Sequence, residues 1–118
     1  MFPMQIGYMR VSTDEQNLDM QRQALEAAGC ETIYDDQGVS GAAIKREGLA
    51  KALAAVGQDD VLVVWRLDRL GRSLPHLIET ITGLRDRGAG FRSIQEQIDT
   101  TSAGGRFYMH ILAALAEF

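Results

Sequence analysis

Residues 61 to 73 read VLVVWRLDRLGRS, an uninterrupted apolar run followed by a loop rich in arginine. The first five residues are apolar and mostly β-branched, which is typical of a strand covered on both faces in a parallel sheet. The segments on either side alternate between short apolar runs and helical periodicity. The alternation predicts an α/β fold with a mostly parallel sheet of four to five strands, right-handed crossovers and helices on both faces.

Working outward from that strand, the sequence predicts three further strands and four helices. The strands are expected over residues 4–9, 31–35 and 90–96, and the helices over residues 14–28, 48–56, 73–87 and 102–118. Ser73 is a suitable N-cap for the third helix. The inward stripe of that helix is predicted to consist of Leu74, Leu77, Ile78, Ile81 and Leu84.

The last predicted helix, SAGGRFYMHILAALAEF, has a one-sided apolar stripe of Phe107, Ile111, Leu115 and Phe118. No glycine, proline or basic residue closes it, which is typical of a longer helix. We therefore expect residues 1–101 to form the α/β domain and residues 102–118 to begin a long helix. The natural protein is expected to continue beyond this point, and the stripe to pair with another subunit.

Composition narrows the function classes. A chain of 118 residues suits one domain, and its net charge of −4 argues against a surface that binds nucleic acid everywhere. Its basic residues are ten arginines and two lysines, and arginine binds phosphate or carboxylate bidentately. No apolar run reaches membrane-spanning length, no signal peptide is evident, and the single cysteine, Cys30, fits a reducing compartment, so we expect a cytoplasmic protein.

The stretch YMRVSTDEQ, residues 8 to 16, leads from the first strand into the first helix. Ser12 is predicted at the carboxyl end of the strand and at the helix N-terminus, where backbone N–H groups and the helix dipole favour an anion. Ser12 or Thr13 could instead simply cap the helix. Strand alternation predicts that Tyr8, Arg10 and Ser12 project on the same side, which favours a site.

The loop after the apolar VLVVW strand adds more arginines. Arg66, Arg69 and Arg72 recur at every third position, with Asp68 among them. A solvated loop with an exposed ion pair, worth ~0–1 kcal/mol, is the alternative interpretation. Carboxyl ends of parallel strands meet at one edge, so we expect this loop to lie near Ser12, together with Arg46 from the loop before the second helix.

A serine hydroxyl among guanidinium groups favours phosphoryl transfer over acyl transfer. Guanidinium groups can stabilise the charge on a phosphodiester in transfer, and the serine would form a covalent phosphoserine. A serine hydrolase would need a histidine base, whereas His76 and His110 lie in predicted helices away from the serine motif. The sequence has no Walker A pattern and no dense carboxylate cluster that would indicate Mg²⁺.

Four segments together resemble the catalytic domain of the serine recombinases, the resolvase and invertase family. They are YMRVSTDEQNLDMQRQAL, GVSGAAIKREGL, VLVVWRLDRLGRS and IDTTSAGGRFYMHILAALAEF, and they extend over nearly the whole chain. RLDRLGRS and the DTTS segment resemble the DNA invertase branch most. The resemblance implies that Ser12 attacks a DNA phosphodiester to leave a 5′-phosphoserine, and that strands are exchanged within a tetramer and rejoined.

The resemblance also implies a role for each matching residue. Arg10, Arg69 and Arg72 would hold the scissile phosphate with help from Arg46. Asp68 would orient the arginines or handle a proton, while Tyr8 and Gln21 would support the pocket. Such enzymes use no metal or nucleotide cofactor, act as homodimers and synaptic homotetramers through the long helix, and carry a DNA-binding helix-turn-helix domain that this chain lacks.

Two other interpretations stay open at this point. The same helix N-terminus could belong to a phosphate- or nucleotide-binding module without catalysis. The chain could also be a regulatory or dimerisation fragment that keeps the fold and has lost the reaction. Inversion, resolution and transposition are not distinguished by the sequence.

Overall fold

The structure is a computed structural model that describes residues 4–11, 18–37, 47–71 and 73–117. The described chain contains five strands and four α-helices, which alternate except that β5 follows β4 directly. The strands are β1 (Gln5–Val11), β2 (Cys30–Gln37), β3 (Val61–Val64), β4 (Gly90–Ser93) and β5 (Ile98–Asp99). The helices are α1 (Leu18–Ala27), α2 (Glu47–Ala55), α3 (Leu74–Asp86) and α4 (Ala103–Ala116), with a short 3-10 helix at Leu67–Arg69.

The strands form a single sheet in the order β2-β1-β3-β4-β5. The first four are parallel, and β5 pairs antiparallel with β4. The chain proceeds from β1 to β2 on one side, and from β3 to β4 on the other. The side on which successive strands are added therefore reverses between β1 and β3. In open α/β sheets, ligands bind in the crevice at the carboxyl ends of such a strand pair.

Apolar side chains cover both faces of the sheet, as the alternation predicted. On one face, Met9 and Val63 pack with Leu25 of α1. On the other, Tyr8 and Val64 pack in a larger cluster to which α2 contributes Leu49 and Ala52, the residue after α2 contributes Val56, and α3 contributes Leu77, Ile81 and Leu84. All four residues of β3 are buried. The predicted fold class is confirmed, and the VLVV run forms a parallel strand covered on both faces, as predicted.

Several details differ from the sequence-based expectation, among them the end of β4 at Ser93 rather than at residue 96. The two-residue strand β5 was not predicted, because it is too short to show a period and is held by its pairing with β4. Strand β2 extends to Gln37, beyond the predicted residues 31–35. Leu74 was wrongly assigned to the inward stripe of α3: it lies in the first turn of that helix and is exposed. Ser73 caps α3 as predicted, with its hydroxyl accepting the N–H of His76 at 3.2 Å.

Helix α4 packs against α3 and β5 and presents much of its apolar surface to solvent. The exposed fractions of Phe107, Ile111 and Leu115 are 68%, 45% and 55%. Ser102 caps the helix, its hydroxyl accepting the N–H of Gly105 at 3.0 Å. Within the described ranges, no helix has both the length and the apolarity that crossing a bilayer requires.

Candidate active site

The carboxyl end of β1 places an arginine in the crevice between β1 and β3. Arg10 follows Ile6 and Tyr8 in the strand alternation, so it projects from the face that α2 and α3 cover. Its side chain is buried, with 7% exposed. Its Nη2 donates to the backbone carbonyl oxygen of Asp68 at 2.9 Å. Arg10 thus bridges the reversal point of the sheet and joins the end of β1 to the loop that follows β3.

That loop begins with Trp65 and forms the 3-10 helix that carries Asp68 and Arg69. Arg69 is buried, and its guanidinium carbon lies 5.9 Å from the centre of the Trp65 ring. The exposed carboxylate of Asp68 places Oδ1 at 3.7 Å from Nε of Arg69 and at 3.2 Å from Nε of Arg66. Two predicted site residues, Arg10 and Arg69, are therefore buried guanidinium groups on neighbouring segments.

Arg66, the first arginine of the repeat, has a different environment. Its guanidinium stacks 4.5 Å from the centre of the Trp65 ring and contacts the exposed carboxylate of Asp68. Exposed pairs of this kind contribute ~0–1 kcal/mol. The solvated-loop interpretation therefore fits Arg66 and the Asp68 side chain, whereas Arg69 is drawn into the protein beside the crevice.

Gln21 connects α1 to the same strand end. It is completely buried, and its Nε2 donates to the backbone carbonyl oxygen of Arg10 at 3.2 Å. The contact fixes the backbone at the residue whose side chain reaches Asp68. Tyr8, the other predicted supporting residue, lies two positions earlier on β1 and is also completely buried.

Tyr8 leads to a buried carboxylate that the sequence reasoning missed. Its hydroxyl donates to Oδ2 of Asp36 at 2.7 Å. The two oxygens of Asp36 also accept the N–H groups of Gly48 at 2.9 Å and Leu49 at 3.1 Å, in the first turn of α2. Asp36 therefore caps α2 from β2, and in the strand register it lies beside Arg10.

The close approach of α2 explains why a glycine follows its first residue. A Cβ on Gly48 would overlap the backbone carbonyl oxygen of Asp35. Without a Cβ, the helix N-terminus can lie against the end of β2, where Asp36 reaches it. The sequence signal for this carboxylate was an aspartate at the end of a strand, but strand β2 was predicted to stop at residue 35, before Asp36.

Three of the predicted site residues, Ser12, Arg46 and Arg72, lie outside the described residues. The structure brings together the other five predicted site residues. They are Tyr8, Arg10, Gln21, Asp68 and Arg69. Two buried arginines at a crevice can bind a phosphate, because the planar guanidinium donates paired hydrogen bonds to its oxygens.

The fold and this edge define an α/β domain of the resolvase type. The family described as resolvase, N terminal domain, matches residues 5–118. The chain therefore belongs to the resolvase N-terminal domain family, and the resemblance drawn from its sequence motifs is confirmed.

Known relatives give the comparison more detail. The DNA-invertase of Escherichia phage P1 is 54% identical over 114 residues, which is 97% of this chain and 61% of that protein. The serine recombinase gin of Escherichia phage Mu is also 54% identical over 114 residues, 97% of this chain and 58% of that protein. The chain thus spans about three fifths of the length of these relatives.

A solved structure shows the same fold. The N-terminal catalytic domain of TP901-1 integrase superimposes with a TM-score of 0.83 at 32% sequence identity. The match covers 97% of this chain and 94% of that domain. The described elements therefore form a domain of the same extent as that catalytic domain.

Proposed function

We propose that this chain is the catalytic domain of a serine site-specific DNA recombinase in which Ser12 attacks a DNA phosphodiester. The observation that supports this most directly is the buried guanidinium of Arg10, hydrogen-bonded to the Asp68 carbonyl in the crevice of the sheet. Arg69, which follows Asp68 in the chain, is also buried. The reaction class comes from relatives named DNA-invertase and serine recombinase, each 54% identical to this chain.

The proposed reaction exchanges one phosphodiester for another. The Oγ of Ser12 forms a bond to phosphorus, the bond from phosphorus to the 3′ oxygen breaks, and that oxygen leaves as a 3′ hydroxyl after taking a proton. The 5′ end remains attached as a phosphoserine. A 3′ hydroxyl from another strand then attacks the phosphoserine, releases Ser12 and restores the DNA backbone.

The arginines bind and stabilise the phosphate in this scheme. Arg10, Arg69 and Arg72 donate hydrogen bonds to its nonbridging oxygens, where negative charge develops in the transition state, and Arg46 assists. Asp68 orients the guanidinium groups or handles the proton.

Two buried side chains support the strand end in this scheme. Gln21 holds the backbone of Arg10. Tyr8 connects β1 to the carboxylate that caps α2. Both contacts keep the end of β1 in a fixed position relative to the neighbouring elements, so that Arg10 is held ready for the phosphate.

The proposed partners are DNA and further copies of the chain. Residues 1–101 act as the catalytic domain, and residues 102–118 begin the helix through which a homodimer and a synaptic homotetramer assemble. The exposed apolar residues Phe107, Ile111 and Leu115 support this assignment. The protein acts in the bacterial cytoplasm, in association with DNA. Inversion is the favoured outcome, because relatives at 54% identity include one named DNA-invertase.

A covalent-adduct assay tests the reaction. The protein in its full natural length is incubated with supercoiled DNA from the region flanking its gene, and the mixture is denatured and resolved by electrophoresis. We expect a protein-DNA adduct that Ser12→Ala abolishes and that Thr13→Ala, which removes the neighbouring hydroxyl, retains. Mass spectrometry should find the phosphate on Ser12. DNA binding without any adduct from the unmodified protein would contradict the proposal and favour a phosphate-binding module.

Sedimentation tests the assembly. Ile111→Asp places a charge on the exposed apolar face of α4 and should weaken self-association. Met20→Asp is the matched control, because Met20 is similarly exposed, at 47%, on α1. Equal effects of the two substitutions, or a strictly monomeric protein at high concentration, would contradict association through α4.

A further inference from the structure

The turn between β4 and β5 crosses to the loop that carries Asp68 and Arg69. Beyond the end of β4, the N–H of Ile94 donates to the carbonyl of Val64 at 3.0 Å, and that of Gln95 donates to the carbonyl of Trp65 at 2.9 Å. The turn is closed by the N–H of Gln97, which donates to the carbonyl of Ile94 at 3.1 Å. Backbone pairing therefore continues past both strand ends, toward the crevice.

Gln97 has a left-handed backbone conformation, with φ of 56°. That conformation is disfavoured for a residue that carries a Cβ. It closes a tight turn in which the preceding residue, Glu96, has its side chain beside the start of the 3-10 helix.

The carboxylate of Glu96 has two hydrogen-bond partners. Its Oε2 accepts the backbone N–H of Leu67 at 3.1 Å. Its Oε1 accepts a short hydrogen bond from the hydroxyl of Ser93, which is 1% exposed. Because Ser93 belongs to β4, the carboxylate is held from the sheet on one side and holds the 3-10 helix on the other.

Leu67 is the first residue of that 3-10 helix. Its backbone N–H has no acceptor within the helix and therefore needs one from outside it. The residue at the N-cap position, Arg66, has an extended backbone and makes no side-chain capping hydrogen bond. Glu96 therefore supplies the cap from the turn between β4 and β5. One residue later, the carbonyl of Asp68 accepts the guanidinium of Arg10.

These contacts form a continuous path from the sheet through Glu96 and the 3-10 helix to Arg10. We propose that Glu96 is a positioning residue: by capping the 3-10 helix it holds the Asp68 carbonyl and Arg69 in the geometry that binds the scissile phosphate. This inference rests on the proposed recombinase function. Small displacements of groups that act on a reacting centre can slow a reaction about 100-fold, so loss of the cap should be visible in the rate.

Substitutions at Glu96 separate the hydrogen bonds from the negative charge. Glu96→Ala removes both contacts. Glu96→Gln can keep both, since its amide oxygen can accept the N–H of Leu67 while its NH₂ group donates to the Ser93 hydroxyl, which then acts as acceptor. Gln95→Ala is the matched control: Gln95 is an exposed neighbour in the same turn, and its backbone contact to Trp65 does not depend on its side chain.

The experiment measures the initial rate of adduct formation by the full-length protein, at a temperature at which circular dichroism shows every variant folded. We expect Glu96→Ala to slow the reaction about 10- to 100-fold without weakening DNA binding. Glu96→Gln should stay within about threefold of the unmodified rate, and Gln95→Ala should match it.

A second measurement reports the geometry directly. Trp65 is the single tryptophan of the 118 residues, and both Arg66 and Arg69 lie over its ring, so the fluorescence of this 118-residue chain should change in Glu96→Ala and much less in Glu96→Gln. An active unmodified protein with an equally active Glu96→Ala variant would overturn the positioning role. A rate loss in Glu96→Ala with unchanged Trp65 fluorescence, or one that Glu96→Gln does not rescue, would overturn it too. An unmodified protein that forms no adduct would instead contradict the recombinase function itself.

Discussion

The carboxyl and amino edges of the same sheet each contain an arginine and an aspartate, but in different settings. At the carboxyl edge, Arg10 is buried and donates to the backbone carbonyl oxygen of Asp68 at 2.9 Å. Asp36 is also buried there, and its carboxylate accepts three hydrogen bonds. At the amino edge Arg92 is partly buried, and its Nη1 lies 3.5 Å from acceptors on Gln5 and Ala28. Asp60 accepts two backbone N–H groups there, at 3.1 Å and 2.9 Å, near the surface.

The difference shows where this fold uses buried polar groups. Burying a charged group is costly unless hydrogen bonds compensate it. The amino edge keeps its polar groups near water, where the cost is small. The carboxyl edge buries them between elements, and the crevice of the sheet lies at that edge. We expect substitutions at the carboxyl edge to affect function or stability strongly, and the matched substitutions at the amino edge to have smaller effects.

The largest expected effect distinguishes the two arginines. Arg10→Ala should slow adduct formation by the full-length protein about 10²–10³-fold, because in the proposed reaction it removes a guanidinium that would stabilise transition-state charge. Arg10→Lys should also be slow, since an ammonium group cannot donate in the same planar geometry. Arg92→Ala should stay within about threefold of the unmodified rate per folded molecule. Similar losses at Arg10 and Arg92 would mean that the carboxyl edge has no special role in the reaction.

The two aspartates should differ in stability. Asp36→Ala leaves the N–H groups of Gly48 and Leu49 and the Tyr8 hydroxyl without their acceptor, and should lower the free energy of unfolding by ~3 kcal/mol. Asp60→Ala should cost ~1 kcal/mol, because water can replace the lost acceptor at the surface. Urea unfolding followed by circular dichroism measures both. An Asp60→Ala cost equal to that of Asp36→Ala would remove the energetic distinction between the edges.

The strands of the sheet and the start of α3 were largely predictable from the sequence, since they follow from local patterns. The VLVV run predicts a buried strand wherever it occurs, and Ser73 caps α3 through a contact three residues away. Arg10 was predicted for the site because strand alternation and the position of a strand end are also local properties. Parallel topology then predicted that the site lies at the carboxyl ends of the strands.

The parts that could not be predicted depend on contacts between distant segments. Asp36 is buried only because α2 approaches β2 closely, and no residue near Asp36 in the sequence signals this approach. Glu96 contacts Leu67, which lies 29 positions earlier in the chain. The apolar residues of α4 show the same limit. Their periodicity predicted a helix with an apolar face, but periodicity does not identify what covers that face.

A single hydroxyl gives a finer test of the buried network. Tyr8→Phe removes one of the three donors to Asp36 and should cost ~1 kcal/mol of unfolding free energy. Tyr34 is the matched control, because it lies directly opposite Tyr8 in the strand register. Among the hydrogen bonds of the described residues, none involves the hydroxyl of Tyr34, so Tyr34→Phe should change stability by less than ~0.5 kcal/mol. Equal costs would show that the hydroxyl of Tyr8 adds nothing beyond its aromatic ring.

The smallest expected effect concerns the charge of Arg92 at the amino edge. Burial raises the pKa of the Cys30 thiol to about 11, and the positive charge of Arg92 opposes that rise. Only the thiolate reacts with iodoacetamide, so labelling should be slow at pH 8 and speed up about tenfold per pH unit until the pKa is approached. Arg92→Met removes the charge and keeps most of the side-chain volume, which raises the pKa further and should slow labelling about twofold.

Mass spectrometry of the labelled chain measures this rate at the single cysteine, and the urea-unfolded chain provides the reference. Labelling of the folded chain as fast as that of the unfolded chain at pH 8 would contradict the burial of Cys30. An Arg92→Met rate tenfold below that of the unmodified chain would mean that Arg92 interacts strongly with the thiol. The amino edge would then contain a coupled pair of buried polar groups, and the contrast with the carboxyl edge would be one of position rather than of burial.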